Sequence, residues 1–494
     1  MALLAGALLS LAFAPVGVWP LAIACPAVLA WLWQDATPRV AARLGFAFSF
    51  GTFAAGTYWL YVSIHGFGQA PLWVALLLML GLVSIMAGYH ALLGWAVARW
   101  LPPRGALRWM VGIPAMWLLV EWWRGWFLTG FSWLSLGYSQ TDTWLAGLAP
   151  VGGTYLLSAL LLLAAGSLVT LLQPGASRGE RIAAAVALLL PWPLGLAAGR
   201  IEWTRESGAP VGVAIVQGAI PQDQKWLDAN RDTTLDLYRD LTARVVGAPL
   251  IVWPEAAAPD LANNIVPYLQ QMTTLVGERG STLVMGVVRA DRPGGARETQ
   301  YFNSVLALGA EFAFYDKHHL VPFAEFFPVP AFVRSWLRLM SLPYSDFNRG
   351  AAVQSPLPAA GLQLATTICY EDAYGSSQLP VLATATALVN VTNDAWFGRS
   401  SARYQHLQIS RMRAIEAQRF MVRAANDGVS AVIGPRGEIV ARAPEYRATV
   451  LRSTIVPRIS SKPKEMSLRR TASRNSRYGW RRPPVLRGGG IWRL

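Results

Sequence analysis

Charge is scarce in this sequence. Of 494 residues only 14% are Asp, Glu, Lys or Arg, against 53% hydrophobic. A soluble globular chain is about 25% charged, so the composition excludes an ordinary water-soluble protein, and its hydrophobicity excludes a disordered one. Cysteine is scarcer still. Cys25 and Cys369 are the only two, which rules out a disulfide framework. Neither GxGxxG nor GxxxxGK[ST] occurs, so the usual glycine cradles for nucleotide phosphates are missing. Internal repeats are also missing. No basic stretch precedes the first apolar run, which argues against a cleaved signal peptide. The charge that is present is lopsided: 43 Lys+Arg against 28 Asp+Glu, a net +15. Taken alone this suggests nucleic acid or an anionic membrane as partner. However, residues 452–494 hold 12 Lys+Arg and one Glu, so they account for +11 of it. The rest of the chain is nearly balanced, and no nucleic acid is expected.

The apolar residues crowd into residues 1–200. Runs near 45–64, 72–98, 107–123, 151–173 and 182–199 approach or reach the roughly 18–20 residues that cross a bilayer as a helix. Two shorter runs, near 2–15 and 19–33, meet at a turn through Gly17 and Pro20. A polytopic α-helical membrane domain of about seven spans over residues 1–200 is the expectation. Basic residues alternate between loops. Arg39, Arg43, Arg99, Arg104, Arg108, Arg178 and Arg181 fall in the loops 34–44, 99–108 and 174–181; the other loops hold Arg124 alone. By the positive-inside rule the seven-arginine side is cytoplasmic, and everything after residue 200 begins outside the cytoplasm.

From Val211 to Arg452 the pattern changes to short β-branched runs separated by polar, helix-compatible stretches. Strands are predicted at Val211–Val216, Leu250–Trp253, Thr282–Val288, Ser304–Leu308, Leu364–Ile368, Leu388–Val391 and Val429–Ile433. Helices are predicted at Asp228–Val245, Ile265–Glu278 and Gln405–Phe420. This alternation predicts an α/β domain large enough for its own core.

Three segments of that domain carry reactive side chains at or near strand ends, where α/β sites assemble. They are Trp253-Pro254-Glu255, Tyr315 to Glu325 with Lys317, and Ile368-Cys369-Tyr370-Glu371. A cysteine thiolate attacks carbonyls and forms a thioester that a second nucleophile opens. It needs a base, which Glu255 can supply, and a cation for the oxyanion, which Lys317 can supply. Singly, each residue reads as blandly as a core cysteine, a loop carboxylate or a surface lysine. His318 and His319 are adjacent, and no Cys or carboxylate cluster lies at ligand spacing, so no metal site is expected. Both cysteines are expected to be unpaired, since Cys25 lies in an apolar run.

The order Glu, Lys, Cys with these neighbours resembles the nitrilase, or carbon–nitrogen hydrolase, superfamily. The preceding membrane block narrows the resemblance to the apolipoprotein N-acyltransferase family. The matching stretches are Gln217 to Gln222 with Lys225-Trp226, Tyr301-Phe302-Asn303-Ser304, Lys317 to Glu325, Ile368 to Glu371, and Asn390 to Gly398. In the membrane part, Gly130-Phe131-Ser132-Trp133 and Gly137-Tyr138-Ser139-Gln140 match too. The resemblance covers roughly residues 1–457.

It implies a nitrilase-like αββα sandwich over 211–452 and a Glu255–Lys317–Cys369 triad. It also implies a multi-pass protein of the bacterial inner membrane with its catalytic domain on the periplasmic side. The implied reaction needs no cofactor. An acyl chain leaves the sn-1 position of a phospholipid such as phosphatidylethanolamine, passes through a thioester on Cys369, and joins the N-terminal amine of a diacylglyceryl apolipoprotein. Glu325 is expected to orient Lys317 or Glu255, Tyr370 and Glu371 to shape the acyl pocket or entrance, and Asn303 and Trp226 to lie near the site. Phe323–Trp336 and Trp396–Phe397 are candidate lipid-contact segments. Two other readings compete: a membrane-anchored amidase in which water opens the thioester, and a transporter or sensor with a degenerate binding domain. The intact triad and the few ionisable residues in the spans speak against the second.

The family's usual final span is missing from the sequence after Arg458. Residues 459–494 are rich in Arg, Ser and Gly, which is read either as a shifted reading frame or as a basic tail against anionic head groups.

Overall fold

The computed structural model describes residues 1–292, 299–310, 312–322, 324–326 and 347–461. The lid candidate Phe323–Trp336, apart from Ala324–Phe326, and the tail beyond Ser461 lie outside the described residues.

The first 200 residues fold as helices: α1 (Ala2–Leu9), α2 (Leu21–Leu32), α3 (Pro38–Gly56), α4 (Leu72–Trp100), α5 (Ile113–Arg124), α6 (Ala149–Leu172), α7 (Arg178–Leu189) and α8 (Pro191–Ala198). Local chemistry sets the starts. Pro38 sits in the first turn of α3 behind an extended Thr37. Ser177 and Glu180 form a reciprocal capping box on α7. Three helical stretches are long and apolar enough to cross a membrane: Leu72–Trp100, Trp144–Leu172 and Arg178–Ala198. Ala2–Ala12 and Leu21–Leu32 are shorter apolar helices. The helix predicted at 45–64 begins earlier, because Pro38 nucleates it, and it ends at Gly56. The chain then turns through a π-helical segment, Val62–Phe67. Arg39 and Arg43 therefore sit on the helix rather than in a loop.

Helices α3 and α4 pack closely because Gly45 and Gly94 leave room. A Cβ at either would run into the backbone of the opposite helix, at His90 or Ala41. Leu72, Trp73, Leu76, Leu77, Leu78 and Leu80 of α4 face outward. So large an apolar exterior suits lipid, not water.

The α/β part holds two six-stranded sheets. With β7 at Leu357–Ala359, β11 at Ala431–Ile433, β12 at Ile439–Arg442 and β13 at Thr449–Ile455, one has the order β13-β2-β3-β4-β5-β6, the other β12-β11-β10-β9-β8-β7. The strands that build the site are β2 (Val211–Gln217), β3 (Leu250–Val252), β4 (Thr282–Asp291), β5 (Gln300–Leu308), β6 (Ala313–Asp316), β8 (Leu362–Ile368), β9 (Ala387–Thr392) and β10 (Met421–Ala425). β2, β3 and β4 run parallel, as do β8, β9 and β10. Between the sheets, Val213, Ile215, Val252, Val284 and Val305 pack on Leu364, Val389, Val391 and Val422. Helices α9 (Asp228–Ala243) and α10 (Val266–Gly277) cover the first sheet through Leu235, Tyr238, Leu269 and Met272. Helix α11 (Ala402–Ala417) covers the second through Leu407 and Ala414. The result is a helix–sheet–sheet–helix sandwich. Its central strands are buried on both faces, which is why they read as continuous apolar runs.

Several strands escape the sequence pattern, β6, β10 and β13 among them. Met421-Val422-Arg423-Ala424-Ala425 follows the helix predicted at Gln405–Phe420; that helix stops at Ala417, Gln418 takes a left-handed turn, and β10 follows. The last described strand, β14 (Arg458–Ser460), pairs with β1 (Thr204–Glu206), where the chain leaves the helical part.

The two parts share one apolar cluster. Ala373, Tyr374, Ala402, Ile409, Met412 and Ile415 of the sandwich join it with Trp59, Trp117 and Trp133 of the helical part.

Candidate active site

Glu255 follows β3, and Gly286 of β4 lies directly beneath it. Lys317 follows β6. Its own N–H donates to the Asn303 carbonyl at 2.8 Å, and its carbonyl accepts from the Gly350 N–H at 2.9 Å. Cys369 follows β8 in a 3-10 turn, with φ of +53°, a strained conformation for a residue with a side chain. The structure brings the three together. Lys317 Nζ lies 3.4 Å from Glu255 Oε1 and 2.9 Å from Glu325 Oε1. Lys317 is 1% exposed and Glu255 8%. Burial opposes the lysine's charge, yet Glu325, Glu255 and Cys369 together raise its pKa, so it stays a cation.

Asn303 ties the carboxylates together. Its Nδ2 donates to Glu255 Oε1 at 2.7 Å and to Glu325 Oε1 at 2.9 Å. Glu325 Oε2 accepts from the Val321 N–H. Glu325 thus contacts Lys317 directly and reaches Glu255 through Asn303. The other Glu255 oxygen accepts from the Asn393 N–H at 3.0 Å. For Cys369, burial and the nearby Glu255 charge raise the thiol's pKa, with Lys317 opposing. The Cys369 side chain is therefore a protonated thiol at neutral pH.

Glu371 has a different place from the one expected. Its Oε1 accepts from the N–H groups of His318 and His319, and its Oε2 from the Ile368 N–H and the Tyr315 hydroxyl. It braces the lysine loop against the nucleophile strand. Burial raises its pKa to about 7. Tyr370 points to the helical part: its hydroxyl donates to the Gly130 carbonyl at 2.8 Å and touches the Tyr374 hydroxyl. Tyr374 also donates to Gly130, while Ser132 and Tyr138 donate to the Ala373 carbonyl. The two glycine-containing motifs of the helical part therefore dock on the nucleophile turn. Trp226 is half exposed, and its neighbour Lys225 is the buried one. Lys225 donates to the Glu255 backbone carbonyl at 3.2 Å, and burial lowers its pKa to about 8. Cys25 and Cys369 are both free.

Sequence reasoning quoted Lys225 in a motif without foreseeing its contact with Glu255, and it missed Asn393, His406 and Arg423 as site residues. Asn393 lay inside a quoted motif, but its contribution is a backbone N–H, which no side-chain pattern reveals. His406 fell in the helix predicted at Gln405–Phe420 and Arg423 in the unassigned segment after it, and nothing in their spacing marks them.

Two families match this sequence. The apolipoprotein N-acyltransferase N-terminal domain matches residues 5–167, and the carbon-nitrogen hydrolase family matches residues 212–462. Among similar proteins, the apolipoprotein N-acyltransferase of Pseudomonas syringae pv. tomato is 42% identical over 458 residues, covering 92% of this chain and 90% of that protein. Those of Azotobacter vinelandii and Vibrio cholerae are 42% and 37% identical, covering 92% and 93% of this chain and 89% and 91% of theirs.

Proposed function

Because the chain belongs to the apolipoprotein N-acyltransferase family, and is thus a membrane acyltransferase acting on lipoproteins, we propose how its residues carry out that transfer and where. Glu255 takes the proton from Cys369, and the thiolate attacks the sn-1 ester carbonyl of a phospholipid such as phosphatidylethanolamine. Lys317 stabilises the tetrahedral oxyanion. The intermediate collapses, the glycerol oxygen leaves with the proton from Glu255, and lysophospholipid departs from a thioester on Cys369. The α-amine of a diacylglyceryl apolipoprotein then attacks the thioester and gives its proton to Glu255. Collapse releases the amide and restores the thiol. This is ping-pong covalent catalysis. Glu325 and Asn303 position Lys317 and Glu255, and Trp226 contributes to the lipid-facing entrance. The helical part crosses the bacterial inner membrane with about seven spans, and the sandwich stands on the periplasmic side.

The observation that carries this reading is the docking of Tyr370 and Tyr374 on Gly130. A nucleophile turn held by the membrane part faces lipid, which an amidase with soluble substrates does not require. The test is intact-mass measurement of the protein mixed with phospholipid, followed by a diacylglyceryl peptide. The expected result is an acyl adduct on Cys369 that moves to the peptide amine, and no adduct on Cys369→Ala. Release of free fatty acid in place of acyl-peptide would instead favour the amidase-like reading.

A further inference from the structure

Beneath the nucleophile lies a second, fully buried set of charges that the reaction scheme does not use. His406 on α11 is 1% exposed, Asp372 and Arg423 0%, and Asp394 1%. His406 Nδ1 lies 2.9 Å from Asp394 Oδ1. Its Nε2 lies 3.1 Å from Asp372 Oδ1 and 3.1 Å from the Cys369 carbonyl oxygen. Arg423 donates to Asp394 at 2.8 Å and lies 3.6 Å from Asp372. Ser410 donates to Asp372 and accepts from Arg423, and the Trp133 ring packs against the imidazole. Two buried carboxylates facing one guanidinium leave a net negative charge, which a low-dielectric interior does not tolerate. A protonated His406 restores neutrality, and both ring nitrogens then donate.

The Cys369 carbonyl also accepts from Asn390 Nδ2 at 3.1 Å. A trans peptide holds its C=O and N–H antiparallel. Anchoring this carbonyl downward therefore fixes the Tyr370 N–H upward, on the opposite side of the turn, and does so at a residue whose φ of +53° would otherwise relax.

We propose that His406, clamped between Asp372 and Asp394, is a positioning residue of the acyltransferase, which holds the Cys369–Tyr370 peptide with its N–H turned toward the reacting carbonyl. The inference rests on the acyl-transfer reading above. It also gives the membrane part a means of reaching the nucleophile. Gln405, next on the same helix, accepts from the indole N–H groups of Trp59 at 3.1 Å and Trp133 at 2.7 Å, and donates to the Gly56 carbonyl. One turn of α11 thus grips the membrane part with one side chain and the nucleophile's peptide with the next.

The experiment compares full-length His406→Gln and His406→Asn in detergent micelles. Gln places an amide where Nε2 stood and can still donate to the Cys369 carbonyl, whereas Asn reaches only toward Asp394. Two rates are read by intact mass: acylation of Cys369 by phosphatidylethanolamine, and its alkylation by iodoacetamide, which develops no oxyanion. The expected result is acylation slowed about 10²-fold in His406→Asn and largely restored in His406→Gln, the scale of one lost oxyanion donor. Alkylation should stay within about twofold in both, since no oxyanion donor is involved. Unchanged acylation in His406→Asn would overturn the proposal. So would a parallel fall of acylation and alkylation in both variants, which is the signature of a merely structural role. A parent enzyme that alkylates normally but forms no thioester would overturn the acyl-transfer reading itself, and this proposal with it.

Discussion

The charge state of His406 has a consequence for stability that can be worked through. Burial and Arg423 act to strip its proton, but Asp372 and Asp394 outweigh them and raise its pKa from 6.5 to about 9. A group whose pKa is raised on folding stabilises the native state fully below its unfolded value, and that stabilisation is lost as pH climbs through the folded value. The window is therefore pH 6.5 to 9. A rise of about 2.5 units at 1.36 kcal/mol each amounts to roughly 3 kcal/mol. Asp394, held low by Arg423 and His406 against its burial, loses its contribution only in acid. Lys317, raised above 10.5, loses its contribution only in stronger alkali. Glu371 and Asp427, each raised to about 7, and Lys225, lowered to about 8, titrate inside the window, so the comparison is differential. Unfolding free energies of the full chain in micelles, read by denaturant titration at pH 6 and pH 9.5, should fall by roughly 3 kcal/mol more for the parent than for His406→Gln. Equal losses in the two proteins would refute the imidazolium and the electroneutrality argument behind it.

Other residues give independent tests. Lys317→Met removes the cation shared by Glu255 and Glu325; Cys369 acylation measured by intact mass should slow by about 10²-fold or more, and a loss under tenfold would contradict an oxyanion role. Gly286→Ala places a methyl 2.5 Å from the Glu255 Cα, so thermal and denaturant unfolding should show destabilisation of about 1–3 kcal/mol along with slower acylation. Gln405→Leu leaves the buried Trp133 indole N–H without its acceptor, which should cost about 1–3 kcal/mol in the same unfolding assay.

The sandwich was legible because seven of its strands are short apolar runs with turn residues between them, and because Glu255 and Cys369 each follow such a run. Glu255, Lys317 and Cys369 could be named from position and chemistry together. The partners that make them work were harder to see. Glu325 and Asn303 came from the resemblance, and their shared grip on Lys317 and Glu255 depends on a loop folding back eight residues. Glu371 looked like a pocket residue because it follows the nucleophile, yet its carboxylate is consumed by three backbone N–H groups and a tyrosine. Backbone donors have no sequence signature. β10 was hidden because Arg and Ala favour helices locally, and burial between two neighbouring strands overrode that preference. With β10 went Arg423, and with it the network under the nucleophile.

The order of the strands also bears on how the protein is made. β2 is central to its sheet only because β13 (Thr449–Ile455) lies along it, from Thr449 against Gln217 to Ile455 against Val211. Chain growth runs at about 5–20 residues per second, so β2 leaves the ribosome roughly ten to fifty seconds before its partner exists. During that interval its outer edge is an open row of unpaired backbone donors and acceptors. The sandwich cannot close until nearly the last described strand has arrived, so a ribosome that stalls short of Thr449 leaves a chain with its helices made and its catalytic half unfinished. Such products should be prime substrates for the proteases that patrol the membrane surface.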